Sequence, residues 1–154
     1  PFFMAPINTK NVHRSNALLG HAYGEDFTYE EMMFTGRGEA GQQMATKLAS
    51  MNPMADKNGP KPGEGPSKEE RDNGSYDLMF TGVSNDGERM IVGVKGDRVP
   101  GYGSTSKMLT ECALCLLDEA KDAPGGVLTP APVFGDAIIE RLRARAGLTF
   151  EVEA

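Results

Sequence analysis

Two glycine-rich segments stand directly before helix-like sequence, and glycine-rich turns at helix starts can hold phosphate groups. The first is G-R-G-E-A-G at 36–41, which matches the G-x-G-x-x-G dinucleotide fingerprint letter for letter. That fingerprint needs an apolar parallel strand before it and an acidic residue about 20 residues later. The preceding segment instead contains Glu30 and Glu31, and the later region is rich in Pro and Gly. We expect a turn and a helix start here, with an independent nucleotide site as the weaker alternative.

The second glycine-rich segment is G-Y-G-S-T-S-K at 101–107. It lacks the glycine before the lysine and the hydroxyl residue after it that a P-loop requires. Gly103, Ser104 and Thr105 would still place free N–H groups and hydroxyls at a helix start, with Lys107 one turn further on. This pattern indicates an anion-binding turn, and the alternative is an ordinary N-cap by Ser or Thr.

Polar side chains also cluster in the first helix-like segment, where His13, Arg14, Ser15 and Asn16 follow one another. Arg14 could bind a carboxylate or phosphate through two parallel hydrogen bonds. Successive helical residues point in different directions, so the four cannot all line one site. Solvated surface polar groups are the alternative interpretation.

The two cysteines, Cys112 and Cys115, form a C-x-x-C pair in the middle of an apolar segment. A redox pair would sit at a helix N-terminus, so we interpret them as small buried apolar side chains in a reducing compartment. We expect no metal site, because a second ligand pair is missing and His13 and His21 are the only histidines. No Ser-His-Asp arrangement is recognisable.

Composition narrows the class of protein further. The chain has 154 residues and a net charge of −6, which argues against a nucleic-acid partner because such proteins need a basic face. No apolar run is long enough to span a bilayer, and the N-terminus lacks the layout of a signal peptide. We expect a cytoplasmic protein that is not integral to a membrane, and peripheral attachment to a membrane stays open. We also expect the chain to be a piece of a longer protein.

The elements that must position these residues follow a helix, strand, helix, hairpin, helix, helix, strand order. This order predicts one α+β domain over 1–154, with a largely antiparallel or mixed sheet and helices mainly on one face. A Pro/Gly-rich excursion is expected at about 52–66, where seven of fifteen residues are Gly or Pro. The predicted helices are 8–20, 36–52, 105–120 and 130–147, and the predicted strands are 27–35, 75–83, 88–96 and 148–153, with 125–129 a short strand or extended turn.

Three blocks of the chain resemble a known family. They are 7–33, with R-S-N-A-L-L-G, 96–117, with G-Y-G-S-T, and 125–152, with G-G-V-L-T-P-A and A-G-L-T-F-E-V. These blocks are similar to the C-terminal portion of saccharopine dehydrogenase-like oxidoreductases, in the bacterial branch that includes trans-acting enoyl reductases. The resemblance weakens through 52–71.

The resemblance implies a two-domain, NAD(P)-dependent oxidoreductase. Its N-terminal Rossmann domain, absent from this chain, would hold the dinucleotide, so no cofactor is expected in this fragment. This chain would be the substrate-binding and dimerisation domain, inactive alone, facing a small-molecule or lipid-like substrate and forming a homodimer. A non-catalytic assembly or interaction domain is the alternative.

The same resemblance suggests which residues face the cleft. Arg14 and Asn16 would come from the first helix, and Ser104 and Thr105 from the second glycine-rich turn, as substrate-binding residues. Lys107 would bind an anionic group together with Arg14. Tyr102 and Lys107 are the candidate catalytic residues, and Tyr102 could stack on the reacting centre or donate a proton near it.

Overall fold

The computed structural model describes residues 2–51 and 63–153. Their contacts divide the chain into two compact units. The first is the described part of Pro1–Gly59 with Val127–Pro132, and the second is the described part of Pro60–Gly126 with Val133–Ala154. The single-domain organisation over 1–154 stays a prediction, and most of the predicted excursion at 52–66 lies outside the described residues.

The described residues form helices and an antiparallel sheet, which confirms the α+β class. Two π-helical turns adjoin the helices, the first at Pro100–Ser104 and the second at Leu142–Ala146. The helices are α1 (Ala5–Leu18), α2 (Gly38–Ser50), α3 (Lys68–Asn73), α4 (Thr105–Asp118), α5 (Pro130–Phe134) and α6 (Asp136–Arg141), and the strands are β1 (Tyr76–Val83), β2 (Arg89–Gly96) and β3 (Leu148–Val152).

In the first unit, α1 and α2 form where the sequence predicts helices. α1 begins earlier than expected, after Met4, because Pro6 fits the first turn of a helix. The predicted strand at 27–35 is wrong. No described strand pairs with that segment, and Phe34 is 85% exposed. The Phe2 N–H donates to Glu31 O at 3.0 Å, but a strand needs a ladder of such bonds to a neighbouring strand.

The hairpin of the second unit is confirmed. β1 and β2 pair antiparallel without interruption from Tyr76 opposite Gly96 to Val83 opposite Arg89. Gly87 supplies the positive φ, +89°, that the turn needs. β3 pairs antiparallel with β2, which gives the strand order β1-β2-β3.

α4, α5 and α6 differ from the prediction in where they begin. The sequence predicts a loop over 97–105, but the first π turn forms within it and runs directly into α4. The predicted single helix at 130–147 is broken at Gly135, whose φ of +51° interrupts a right-handed helix and separates α5 from α6. Gly147 ends the second π turn with a φ of +72°, in the left-handed conformation expected of a C-terminal glycine.

The hydrophobic core of the second unit lies between α4, α6, the second π turn and β3. Leu148 and Phe150 lie on the same face of β3 and both contact this core, so the helices pack on that face. The spacing of Leu109, Cys112, Leu116 and Ala120 predicts the apolar face of α4. That prediction is wrong, because Leu109 and Leu116 are 70% and 51% exposed. The buried face is turned by one residue, and the cluster of buried apolar residues is Cys115, Ile138, Leu142, Ala146 and Leu148.

Candidate functional site

The glycine-rich segment 36–41 forms a tight turn into α2. Gly36 and Gly38 take φ values of +91° and +68°. A Cβ at Gly41 would overlap the Gly36 carbonyl, so the third glycine lets the turn pack against the helix. The strand that a dinucleotide fingerprint requires before this turn is missing from the described residues. The geometry fits a helix start and does not fit a dinucleotide site.

The second glycine-rich segment is more closed than its sequence predicts. The Ser104 N–H donates to Val99 O at 2.9 Å, and the Thr105 N–H donates to Pro100 O. The expectation of free N–H groups at Ser104 and Thr105 is therefore wrong, because the first π turn extends the helix backwards and uses those donors. The Thr105 hydroxyl also donates to Pro100 O, at 2.6 Å.

Ser104 is a structural contact between the helix and the sheet. Its side chain is fully buried, and its Oγ lies 2.8 Å from the Tyr76 hydroxyl on β1. A buried hydroxyl without a partner would cost free energy, and this bond satisfies both groups. The bond therefore joins the N-terminal end of α4 to the first strand.

Lys107 binds groups at the end of the second π turn. Its Nζ lies 3.2 Å from Asp97 Oδ1 and 3.4 Å from Ala146 O. Because the last carbonyls of a helix lack partners and carry partial negative charge, a lysine there is stabilising. The Asp97 carboxylate sits where a side chain at Gly147 would otherwise be.

Tyr102 differs from its predicted companions. Its side chain is 59% exposed, and one face of the ring lies over Gly65. No hydrogen bond joins its hydroxyl to another residue in 2–51 or 63–153. Within the second unit, Tyr102 therefore offers a phenol with an accessible donor and acceptor.

The first unit holds the other two predicted residues, Arg14 and Asn16. Asn16 is buried, and its side chain accepts from Tyr23 N at 2.9 Å and donates to Gly24 O at 2.8 Å. It fixes the loop after α1. Arg14 Nη2 donates to Val127 O at 3.0 Å in an exposed position.

Two further polar contacts of the first unit were missed by the sequence analysis. Ser15 is buried, donates to Asn11 O at 2.9 Å and lies 2.6 Å from the Thr129 hydroxyl. Tyr29 donates to Glu31 Oε1 at 2.8 Å. Burial, followed by the bond to Glu31, raises the pKa of Tyr29 to about 12. Side chains two residues apart lie on the same side of an extended segment, so the Tyr29–Glu31 spacing in the sequence was the signal that could have found this pair.

Arg141 is the most buried charged group of the second unit. It donates to Glu111 Oε2 at 3.0 Å and to Glu119 Oε1 at 2.8 Å, and its Nη2 has no hydrogen-bond partner among the described residues. The bonds to the carboxylates raise the pKa of this guanidinium. This ion-pair cluster joins α6 to α4 across the core.

The cysteines lie inside α4 and not at its N-terminus. Burial is the largest cause that raises the pKa of both thiols, Cys112 and Cys115. A raised pKa lowers the thiolate fraction, which is the reactive form. In the part of the chain that the structure describes, no three His, Cys, Asp or Glu side chains are placed to hold a metal ion.

The first unit also contains an apolar hollow of about 320 Å³. It lies between α2 and the extended segment that precedes the glycine turn. Its lining is mostly methyl and thioether groups, which offer contact without directional hydrogen bonds. The lining residues are Met33, Thr35, Ala45, Thr46, Leu48 and Ala49.

None of the helices in 2–51 and 63–153 has both the length and the apolar character needed to cross a membrane. No protein-family model matches the chain, and no solved structure does. Curated proteins do match it. A Mycobacterium tuberculosis protein provisionally named a trans-acting enoyl reductase is 39% identical over 97% of the chain. The trans-acting enoyl reductases of Mycobacterium ulcerans and Mycobacterium bovis are 36% and 33% identical over 92% of it.

The matches cover only part of each relative, 40% of the M. tuberculosis protein and 38% of the other two. The chain therefore spans about two fifths of the length of the curated relatives it matches. Almost the whole chain is similar to a segment of mycobacterial proteins named trans-acting enoyl reductases.

Proposed function

We propose that this chain is the substrate-binding domain of an NAD(P)-dependent, enoyl-reductase-like oxidoreductase and is inactive alone. The similarity to a segment of the trans-acting enoyl reductases over 97% of the chain carries this proposal. The segment is C-terminal in the proposed protein, and a Rossmann domain precedes it. The saccharopine dehydrogenase-like origin of that architecture is part of the proposal.

The geometry of the glycine turn at 36–41 supports the proposal that another domain of the longer protein binds the dinucleotide. A turn at 36–41 without a preceding strand is not built to seat a pyrophosphate. The dinucleotide, bound elsewhere in the longer protein, would supply the hydride. The residues of this chain would then bind and orient the substrate.

Among the predicted site residues, Tyr102 in the second unit and Arg14 in the first keep available polar groups, and we propose each separately as a candidate substrate contact. Tyr102 has an exposed hydroxyl that could donate a proton or a hydrogen bond. Arg14 is exposed and uses only Nη2 in the bond to Val127 O, so the rest of its guanidinium can bind an anionic group. The other predicted site residues already bond to neighbouring groups of the chain, and we propose that they stabilise the fold. They are Asn16, Ser104, Thr105 and Lys107.

A lipid-like substrate fits the apolar hollow beside α2. Pockets for small apolar ligands begin at volumes of roughly 300 Å³ and are lined mostly by apolar groups. The hollow reaches that size, and Met33 in its lining can adjust to a flexible chain. An acyl chain is the substrate class that this lining supports, and its double bond belongs to the proposed enoyl-reductase reaction.

Calorimetry and activity assays test the proposal together. We expect no heat of binding when NADPH is titrated into the 154-residue chain. The full-length protein that contains it should oxidise NADPH when given an enoyl thioester. NADPH binding by the chain alone would favour the glycine-turn alternative, and a full-length protein without reductase activity would favour the assembly-domain alternative.

Two substitutions in the full-length protein distinguish a residue that contacts the substrate from one that stabilises the fold. Tyr102→Phe should lower kcat more than tenfold and leave the melting temperature unchanged, because it removes only an exposed hydroxyl. Lys107→Ala should lower the melting temperature, because it removes the bonds to Asp97 and Ala146. Tyr23→Phe, another exposed tyrosine, is the matched control. Unchanged kinetics in Tyr102→Phe would contradict the assignment.

A further inference from the structure

We propose that β1 pairs antiparallel with β1 of a second copy of this chain, so that the two sheets become one continuous sheet. Among the strands of 2–51 and 63–153, β1 is an edge strand, bonded to β2 on one side. An edge strand presents a row of N–H and C=O groups that can pair with another strand. This inference rests on the sheet alone and does not depend on the proposed function.

The hydrogen-bond pattern of the sheet identifies which backbone N–H and C=O groups of β1 point away from β2. The Glu153 N–H donates to Ile91 O, so alternate residues of β2 that include Ile91 bond to β3. The residues of β2 between them must bond to β1, and the Ser84 N–H bond to Glu88 O agrees with that phase. The backbone groups of β1 that point away from β2 therefore belong to Asp77, Met79, Thr81 and Val83.

The two edge strands of the sheet, β1 and β3, differ in how well they are protected from pairing with another strand. β3 has five residues, carries the charged Glu151, and its outward carbonyl at Phe150 accepts a hydrogen bond from Arg143. β1 has eight residues in unbroken register, without proline, lysine, arginine or bulge. Charge, proline and bulges are the usual protection of an edge. β1 has no proline and no bulge, its one charged residue is Asp77 near its start, and its side chains stay exposed from Asp77 to Val83.

One register makes this edge complementary to itself. If a two-fold axis passes through Phe80, Asp77 lies opposite Val83 of the second copy and Met79 lies opposite Thr81. All four outward residues then pair, which gives about eight backbone hydrogen bonds. The one charged residue of the strand, Asp77, meets an apolar residue and already pairs with Lys95 of its own sheet at 3.3 Å. No like charges oppose each other.

The side chains favour the same register. The two Phe80 rings, each in a side chain that is 43% exposed, would face each other across the axis at a closely spaced, non-hydrogen-bonded position. Aromatic pairs across antiparallel strands are stabilising. Leu78 would lie opposite Gly82, which has open space around it. The arrangement is isologous, as expected for a two-fold dimer.

Light scattering after size exclusion tests the dimer. The measured molar mass should be twice the chain mass of 16.5 kDa, and that of Thr81→Pro should be the mass of a monomer. Proline at 81 removes an outward N–H and leaves the bonds to β2 intact, and circular dichroism checks the fold. Val152→Pro, at an outward position of the β3 edge, is the matched control and should stay dimeric. A monomer at every concentration, or a folded Thr81→Pro dimer, would overturn the proposal.

Cysteine cross-linking tests the register even if Thr81→Pro fails to fold. Phe80→Cys should form a disulfide between two copies, because non-hydrogen-bonded pairs bring Cα atoms to about 4.5 Å. Leu78→Cys lies on the same face of the same strand but opposite Gly82, so it should not. Mass spectrometry identifies the joined peptides. Equal cross-linking of both variants, or none in Phe80→Cys, would refute this register.

Discussion

Asn16, Ser104 and Lys107 have the side chains of a binding site, yet each completes the hydrogen bonding of the chain itself. Asn16 bonds to the backbone of Tyr23 and Gly24, Ser104 to the Tyr76 hydroxyl, and Lys107 to Ala146 O. Their polar character was visible in the sequence. Their partners were not, because those partners are determined by how the chain folds around each residue.

The raised pKa of Tyr29 predicts that the stability of the fold depends on pH. Its pKa is raised from 10.0 to about 12, so the folded state holds the proton more tightly than the unfolded state. The stability this provides is fully present below pH 10 and is lost as the pH rises toward 12. In Tyr29→Phe, the free energy of unfolding should vary less over that window.

Absorbance titration of the four tyrosines checks the prediction directly. The last tyrosine to ionise in the folded chain should disappear from the curve in Tyr29→Phe. Tyr23→Phe, in the same unit, should keep it. An unchanged final ionisation in Tyr29→Phe would show that Tyr29 is not the tyrosine with the raised pKa.

At the scale of elements, local signals predicted the hairpin and β3 but missed α3. Ser67 and Glu70 form a capping box, in which Ser67 Oγ accepts from Glu70 N and Glu70 accepts from Ser67 N. This Ser-x-x-Glu spacing is a helix-start signature that the sequence contained. The predicted excursion ended at 66 and the predicted hairpin began at 75, so no element was predicted between them.

The helix break at Gly135 leads to a second prediction. With φ at +51° and ψ at −134°, position 135 favours glycine strongly, and no atom lies within 4 Å of an added Cβ. Gly135→Ala should therefore lower the free energy of unfolding by about 1–3 kcal/mol through backbone strain alone. Urea unfolding measures it.

Gly101 provides the control for Gly135→Ala. It also has open space around an added Cβ, but its φ is not positive. Gly101→Ala should be neutral or stabilising by up to about 1 kcal/mol, because alanine reduces the freedom of the unfolded chain. Equal losses in both variants would argue against strain at 135.

At the scale of the whole molecule, the chain leaves the first unit and returns to it for Val127–Pro132. Ser15 on α1 and Thr129 in the returning segment join at 2.6 Å, and Arg14 bonds to Val127 O. These contacts lie more than a hundred positions apart in the sequence. Sequence patterns of short period cannot predict such pairs, whereas the packing of α1 determines them.

Ser15→Ala tests this return. Removing a buried hydroxyl bond should cost about 1 kcal/mol and increase hydrogen exchange in the amides of 127–131. Thr46→Ala, whose hydroxyl bonds within α2, is the control and should leave that exchange unchanged. Slow exchange at 127–131 in both variants would show that other contacts hold the segment.

The sequence by itself determined the α+β class, the hairpin, β3, α2 and most of α4, because apolar spacing, turn glycines and helix signals act within a few residues. Tertiary structure alone decided that 27–35 stays unpaired, that α4 buries the Cys115 face instead of the Leu109 face, and that Tyr102 keeps an accessible hydroxyl while Ser104 does not. The physical reason is the same in each case. A strand, a buried face and a free polar group each depend on which distant segment supplies the partner.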